Sequence, residues 1–526
     1  MRGCPYGGGM LATVLAATLR GLEGRPVRVE VDVAPGLPGF TIVGLADAAL
    51  RESRERVRGA LRNAGFVHPP RRITVNLAPA DVPKAGSALD LGIAIAILVG
   101  SEQVRPCGRW ALLGELGLGG EVRPVPGLLP MIAALARRGA GRVVVPADAL
   151  DEARLVPGIE SLAAATLGQA VELVRGRRVR GHGPMTRAEL IPDETARTIP
   201  TPSDDEAWPD LADVRGQAEA RRALEIALAG GHALLMIGAP GSGKTLLART
   251  IPGLLPPLDP AEAHEATVIA SVAGEGPVRS LVTKRPFRAP HHTASYAALV
   301  GGGPRLSPGE VTRAHHGVLF LDELPEFDRA AREALRQPLE EGRIAIARAG
   351  GSVVMPARFQ LVAAMNPCPC GWAGDPSGRC TCPPGLPDRY AARISGPFRD
   401  RLDLWVGLPR VAPAALLARG DAEASATVAA RVAEVHARQV VGRGRLAGRL
   451  AGRALRAACQ LDVAGERAAI RLADAGGLTA RATERLLRVA RTIADLDSAE
   501  RVEVRHLEEA ARYRVPATAA APSRAG

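Results

Sequence analysis

Lysine is almost absent from this chain. Lys84, Lys244 and Lys284 are the only three in 526 residues, and arginine supplies the rest of the positive charge. A lysine that survives such a bias marks a place where a compact ammonium matters. Long apolar runs are missing too: no uninterrupted apolar stretch reaches the roughly 18 residues that a membrane-crossing helix needs. The run "MLATVLAATL" near the start is too short and lacks a cleavage-site pattern. These absences read as a cytoplasmic protein with no membrane partner. Translation starting at Met10 is a second expectation, because "MRGCPYGGG" before it has no periodicity of either kind. Cysteine is scarce, seven in all, yet four fall between Cys368 and Cys382. No internal repeat is visible, and the length exceeds what one hydrophobic core serves, so about three domains are expected.

Acidic residues are outnumbered 55 to 67, giving a net charge of +12. The excess lies on both sides of an acidic joint. A basic surface attracts a phosphate polymer, and ordinary solvated arginine gives the same count, so charge alone leaves nucleic-acid binding open. The joint is "GHGPMTRAELIPDETARTIPTPSDDEAWPD", rich in Pro, Asp, Glu and Thr without apolar period, and it reads as a linker over 181–210. Before it, in 1–180, "VRVEVDV" and "RITVNL" alternate as strands do, and "DAALRESRERVRGALRNAG" is an amphipathic helix ending at Gly65: an α+β domain. After it, in 211–410, "HALLMIG", "GVLFLDE" and "FQLVAAMN" are short apolar runs between helical stretches, the pattern of an α/β parallel sheet with helices on both faces. Residues 411–515 have helical spacing throughout, and 516–526 read as a disordered tail.

Within the α/β part, "GAPGSGKT" satisfies G-x-x-x-x-G-K-[ST] directly after a strand and before a helix. Gly238, Ala239, Pro240, Gly241, Ser242 and Gly243 would wrap backbone N–H groups around the phosphates of ATP. Lys244 would reach the β and γ phosphates, and Thr245 would offer its hydroxyl to Mg²⁺. Hydrolysis also needs an acid for the metal and a base for water. "GVLFLDE" supplies Asp322 and Glu323 at a strand end, and Asn366, ending the next strand, would orient the water.

The loop, the "FLDE" strand, Asn366, "SGPFRDRLDL" and "GLTARATERLLRVARTIADL" together resemble a magnesium-chelatase-like AAA+ ATPase. More closely, from about Met10 to Arg514, the chain resembles the ComM/YifB family, in which "PFRAPHHTASYAALVGGG" and "GELGLGGEVRPVPGLLP" are specific stretches. The resemblance implies an AAA+ core with an all-helical lid. It also implies a homo-hexamer that branch-migrates single-stranded or branched DNA in natural transformation, alongside recombination proteins. By the same resemblance Arg401 is an arginine finger reaching into the neighbouring subunit, Arg481 is a second sensor, and "DVRGQ" passes over the adenine with its side chains contributing little to the chemistry. The hairpin "IAIARAGGSVVMPARF", turning at Arg348 to Gly351, and the insertion holding His291 and His292 would face DNA.

Some features remain. His291, His292, His315 and His316 look like a metal cluster, but adjacent histidines in a strand point to opposite faces, so a loop setting is preferred. Six arginines between Arg438 and Arg456 offer phosphate contacts or a solvated helical face. The first domain resembles the Lon protease domain, yet aligning "PKAGSALDL" puts Ala88 at the serine position and no base lysine follows. A Ser-Lys dyad needs both groups, so the domain is read as non-catalytic. Cys368, Cys370, Cys380 and Cys382 form C-x-C-x9-C-x-C, for which structural Zn²⁺, reduced buried thiols and redox pairing all stay open. A chelatase-type motor working through a partner and a nucleotide-gated assembly module are the alternatives to a DNA motor.

Overall fold

The computed structural model describes residues 10–44, 48–80, 84, 86–177, 208–276, 278–303, 306–348, 351–376, 378–411 and 422–514. The stretch before Met10, most of the 181–210 joint, the 516–526 tail and the hairpin tip at 349–350 lie outside them.

The N-terminal part is a mixed sheet. β1 (Met10–Arg20) and β2 (Glu23–Ala34) pair antiparallel, Met10 opposite Val33 and Arg20 opposite Glu23. The apolar run near the start is therefore this sheet's first strand. Strands β3 (Gly39–Val43), β4 (Arg72–Ala78), β5 (Ala111–Leu112), β6 (Arg142–Pro146) and β7 (Glu160–Ala164) complete the order β3-β4-β2-β1-β5-β6-β7. Alternation in "VRVEVDV" turns Val27, Val29, Val31 and Val33 into one core with α1 (Ala48–Asn63) and α2 (Asp90–Gly100). A second core, containing Ala17, Val143 and Val145, forms under α3 (Leu128–Arg137).

The second sheet is wholly parallel. Its strands β8 (Leu234–Gly238), β9 (Phe287–Arg288) and β10 (Val318–Leu321) precede a separate antiparallel hairpin of β11 (Arg343–Arg348) and β12 (Gly351–Pro356). Strands β13 (Gln360–Met365) and β14 (Leu404–Leu408) follow, giving the order β9-β10-β13-β8-β14. Helices α4 (Ala218–Gly230), α5 (Lys244–Arg249) and α6 (Pro260–Ala273) surround it. α6 starts where Asp259 caps Ala261 and Glu262 and Pro260 fits the first turn.

The C-terminal helices α7 (Ser425–Arg443), α8 (Val463–Ala475), α9 (Ala480–Leu496) and α10 (Val504–Arg512) do not build a core of their own. Val432, Leu486, Val489 and Leu507 share one buried cluster with Met236, Leu404 and Leu224. The division near residue 411 thus separates segments of chain but not hydrophobic cores. The N-terminal sheet meets the second unit through α6. Ser271 accepts the Gly127 N–H at its carbonyl (2.8 Å) and donates its hydroxyl to the buried Glu152 (2.5 Å), which also takes the Leu129 N–H (2.9 Å). The turn at Gly21 rests on β12, where an added Cβ would lie 2.5 Å from Val353 Cγ1.

Candidate active site

Strand β8 ends in Gly238, and the chain turns at once into α5. Gly241 (φ 75°) and Gly243 (φ 94°) occupy the left-handed region that side chains resist, and this aims the loop's N–H groups inward. A Cβ on Gly238 would fall 2.6 Å from Leu408 O and from Ser242 Oγ, so only glycine lets the loop lie against β14. Lys244 folds across the loop, donating to Gly238 O (2.6 Å), Ala239 O (3.0 Å) and Asn366 Oδ1 (3.2 Å). Burial lowers its ammonium pKa, and the Asp322 and Glu323 charges oppose that.

The parallel sheet brings the ends of β10 and β13 beside this loop. Thr245 Oγ1 donates to Asp322 Oδ2 at 2.7 Å, so the two expected metal-holding side chains already touch. Asp322 Oδ1 accepts the Glu323 N–H (2.9 Å) and pins Glu323 at φ 52°, a left-handed backbone rare outside glycine. Lys244, Thr245, Asp322, Glu323 and Asn366 therefore converge as the sequence implies. Gln217 joins them: its buried amide donates to Ser242 O (3.0 Å) and Pro409 O (2.7 Å), tying the segment "DVRGQ" to the phosphate loop. This side chain braces the loop through backbone carbonyls, a structural part that the sequence reading did not name.

The four cysteines lie against the same loop. Gly371 between them sits so close to Pro240 that a Cβ would be 2.5 Å from Pro240 Cδ. Sγ of Cys368 stands 3.3 Å from Cys370 and 3.9 Å from Cys380, Cys370 stands 3.7 Å from Cys380, and all four sulfurs lie within 4.8 Å of one another. None of these separations approaches the about 2.05 Å of a disulfide, whereas four thiolates on one tetrahedral ion at about 2.3 Å stand about 3.8 Å apart. The Trp372 N–H brings the Cys370 thiol down to about 6, while, against the lowering by backbone N–H groups, burial and hydrogen bonds to Cys370 and Cys368 push the Cys380 and Cys382 thiols up.

Arg401 and Arg481 are elsewhere. Both line a cleft of about 790 Å³ that also contains Arg285, His316, Arg445, Arg449, Arg485 and Arg488. It opens at the strand-start edge of the sheet, beside Gly231, Gly317 and Phe359, whereas the phosphate loop follows the strand ends. β8 alone interposes about 16 Å, five residues at about 3.3 Å each. Arg401 is held by Glu340 and Pro397 O, and its neighbour Asp403 accepts from Arg485 (2.7 Å) and the Ala233 N–H (3.0 Å). Burial would raise Asp403, but His232 and Arg485 hold it well below the usual carboxylate range. Of the arginines from Arg438 to Arg456, Arg443 is locked bidentate to Asp495 (2.7 Å each) and Arg438 is half-buried, while Arg445, Arg449, Arg453 and Arg456 are exposed.

Both histidine pairs lie in loops and turns, the setting the sequence reading preferred. The rings within each pair lie together, not on opposite faces: His291 and His292 at 4.2 Å, His315 and His316 at 3.9 Å. His316 takes φ 58° in the turn that precedes β10. The two pairs sit at opposite ends of β10. Near its start, His315 Nδ1 accepts the Arg358 N–H (2.8 Å), so the neutral ring carries its proton on Nε2 and donates to Glu265 (2.9 Å). That ring has no lone pair left for a cation, and burial and His316 push it down to about 4. Beyond the end of β10, His292 Nδ1 lies 2.9 Å from Glu323 Oε2. In the N-terminal domain Ala88 is buried in the core and Ser87 donates to Glu115, while Lys84, fully buried, donates to Pro79 O.

With this geometry in view, the similarity to other proteins is decisive. A profile described as magnesium chelatase, subunit ChlI, matches residues 210–416, its C-terminal counterpart matches 422–514, and a third, subunit ChlI of Mg-chelatase, matches 29–149. YifB of Escherichia coli strain K12, described as uncharacterized, is 42% identical over 512 residues, covering 96% of this chain and 97% of its own. Competence protein ComM of Haemophilus influenzae is 41% identical over 507 residues, with 96% and 97% covered. The chain belongs to the YifB/ComM family of magnesium-chelatase-like AAA+ proteins. A magnesium-chelatase 38 kDa subunit from Acidiphilium rubrum is 30% identical over 178 residues, 29% of this chain and 51% of its own. The AAA+ assignment explains why the phosphate loop sits on β8 and its acids on β10. Among the described residues, no helix of this YifB/ComM member is long and apolar enough to cross a membrane.

Proposed function

We propose that this chain is a Mg²⁺-dependent ATPase of a homo-hexameric ring that works on DNA as a branch-migration or helicase motor in DNA uptake and recombination. The observation that carries the reading is the contact of Thr245 with Asp322 at 2.7 Å, with Lys244, Glu323 and Asn366 around it. In this reading Lys244 exchanges its bonds to Gly238 O, Ala239 O and Asn366 for phosphate oxygens. Thr245 and Asp322 hold Mg²⁺, which when bound neutralises phosphate charge. Glu323 takes a proton from water while the water oxygen attacks the γ-phosphorus, and Asn366 orients that water. The bond from the γ-phosphorus to the bridging oxygen breaks, and its electron pair leaves with ADP. Arg401 and Arg481 stand at the far edge of their own sheet, so they act on the phosphates of an adjacent copy.

Action on DNA is supported by the net charge of +12, by the name of the competence relative, and by the hairpin β11–β12 with its exposed Val354. Structural Zn²⁺ on Cys368, Cys370, Cys380 and Cys382 is supported by their sulfur spacing, and it would brace the phosphate loop through Gly371. The N-terminal domain serves as a scaffold, with buried Ala88 where a protease nucleophile would stand. A second reading, a chelatase-type motor acting through a protein partner, draws on the descriptions of the matching profiles. Steady-state ATP hydrolysis with and without single-stranded and four-way-junction DNA, run beside Glu323→Gln, separates the two. Stimulation by DNA that the substitution abolishes is expected, and robust turnover indifferent to both DNAs moves the assignment to the chelatase-type motor.

A further inference from the structure

We propose that the four-cysteine cluster is a redox switch on nucleotide binding: a peroxide oxidises Cys370 and Cys380 to a disulfide, the metal leaves, and the phosphate loop loses its brace. The inference rests on the readings of the four cysteines as a Zn²⁺ site and of the loop as the ATP site.

The cluster touches the nucleotide site at two points. Gly371 packs so tightly on the loop that a Cβ there would lie 2.5 Å from Pro240 Cδ and 2.6 Å from Pro240 Cγ. Cys368 follows two residues after Asn366, whose Oδ1 accepts from Lys244 at 3.2 Å. Between these points the chain closes a turn around the buried Cys368. The Gly371 N–H donates to Cys368 O (2.9 Å), and the Ala373 N–H meets Cys368 Sγ (3.2 Å). Among the described residues from Asn366 to Gly385 there is neither helix nor strand. No ladder therefore fixes the two arms that carry Cys368 with Cys370 and Cys380 with Cys382. Four thiolates on one ion would fix them, so the setting of Gly371 and Asn366 depends on the metal.

Access selects the sulfurs that react. Cys368 is fully buried, whereas Cys370, Cys380 and Cys382 are half-buried. Cys370 and Cys380 stand 3.7 Å apart on different arms. Cys368 lies nearer to Cys370, at 3.3 Å, but on the same arm and out of reach of solvent. The Cys370 thiolate attacks one peroxide oxygen, the O–O bond breaks, hydroxide leaves, and a sulfenic acid forms. The Cys380 thiolate then attacks that sulfur, the S–O bond breaks, and the second oxygen departs as hydroxide. Two thiolates have lost two electrons to one peroxide. Cys368 and Cys382 alone supply half of a tetrahedral set and release the ion. Cys370 has been drawn out of its place, and Gly371, its chain neighbour, moves with it against Pro240.

The test uses the full-length chain purified under reducing conditions, with hydrogen peroxide as oxidant. A colorimetric chelator follows Zn²⁺ release, peptide mass spectrometry locates the disulfide, and a fluorescent ATP analogue in the presence of Mg²⁺ gives the Kd. Expected are release of about one Zn²⁺ per chain in step with a Cys370–Cys380 disulfide, and a Kd raised about 5- to 150-fold. A dithiol with added Zn²⁺ should restore both, and Cys107→Ser should respond as wild type does. A zinc-selective chelator under reducing conditions should raise the Kd alike without any disulfide. Zn²⁺ that stays bound through peroxide overturns the proposal, and so does Zn²⁺ release that leaves the Kd unchanged. A raised Kd that accompanies a disulfide outside the cluster overturns it too. A purified chain without Zn²⁺ overturns the metal reading and this inference together. A reduced, Zn²⁺-loaded chain that binds no analogue overturns the ATP reading and the switch, and leaves the metal reading standing.

Discussion

Arg401 and the phosphate loop of the same chain sit at opposite edges of one parallel sheet, and this makes a quantitative demand. The five residues of β8 separate the edges by about 16 Å, more than an arginine side chain spans. If Arg401 stabilises the transition state, it must do so in the adjacent copy, after leaving Glu340. Removing such an arginine lowers kcat by about 10³- to 10⁵-fold. Arg401→Ala and Lys244→Ala chains should therefore each be nearly inactive alone. Mixed one to one in a closed ring, a boundary works when an intact Lys244 meets an intact Arg401 from its neighbour, in about one boundary of four for random assembly. Subunits exchanged and reassembled should recover about a quarter of the wild-type rate if boundaries fire independently. Lys244→Ala mixed with the double variant should recover nothing. Native mass spectrometry would verify mixed rings, and a mixture of verified mixed rings that stays inactive refutes the placement of Arg401 in a neighbouring site.

Three further outcomes follow from the packing. Burial raises the Glu152 carboxyl pKa against the lowering by Ser271 and the Leu129 N–H, so the folded chain keeps that proton to higher pH than the unfolded chain does. The stability it contributes is present below the ordinary carboxylate range and lost as pH rises through the raised value. Glu152→Gln, which keeps the acceptor, should melt higher than wild type at pH 8 and level with it near pH 4, and a lower midpoint at pH 8 would contradict this. Asp403→Ala strands Arg485 and the Ala233 N–H, so urea unfolding should show a loss of about 3–5 kcal/mol, with Asp403→Asn losing less. Gly371→Ala adds a Cβ 2.5 Å from Pro240 at φ 85° and should weaken ATP binding by about 1–3 kcal/mol in titration calorimetry, with the metal content by elemental analysis equal to that of wild type.

Local signals were legible in the sequence because they are covalent neighbours. "GAPGSGKT" follows one strand, "FLDE" ends another, and the alternation in "VRVEVDV" names its buried face. What the sequence concealed depends on register between distant segments. His292 meets Glu323 because β9 and β10 pair as they do, and neither residue's surroundings in the chain announce it. Gln217 reads as an ordinary polar residue until Ser242 and Pro409 surround its amide. The early apolar run "MLATVLAATL" lacks the polar alternation of a half-exposed strand, because β1 is covered on both faces, by α2 on one and α3 on the other. The loop setting of the histidine pairs was legible, whereas the positive φ of His316 is supplied by no composition rule.

The helix α6 gives the molecule its continuity. At its C-terminal end Ser271 binds the N-terminal domain through Gly127, Leu129 and Glu152. One to two turns from its start, Glu262 and Glu265 take hydrogen bonds from Arg285, His315 and His316. Burial would raise Glu262, but His316 and Arg285 bring it down to about 2, so the carboxylate stays charged and the contact holds across the neutral range. His316 leads directly into β10, and the other end of β10 presents Asp322 and Glu323. One helix therefore touches the N-terminal domain, the arginine cleft and the turn that leads into the strand carrying the acids. Contact of that kind is a precondition for coupling and does not by itself demonstrate it. It does fix where coupling must be sought: a displacement of the N-terminal domain can reach the acids through α6 and β10 only by changing the bonds of Glu262 and Glu265.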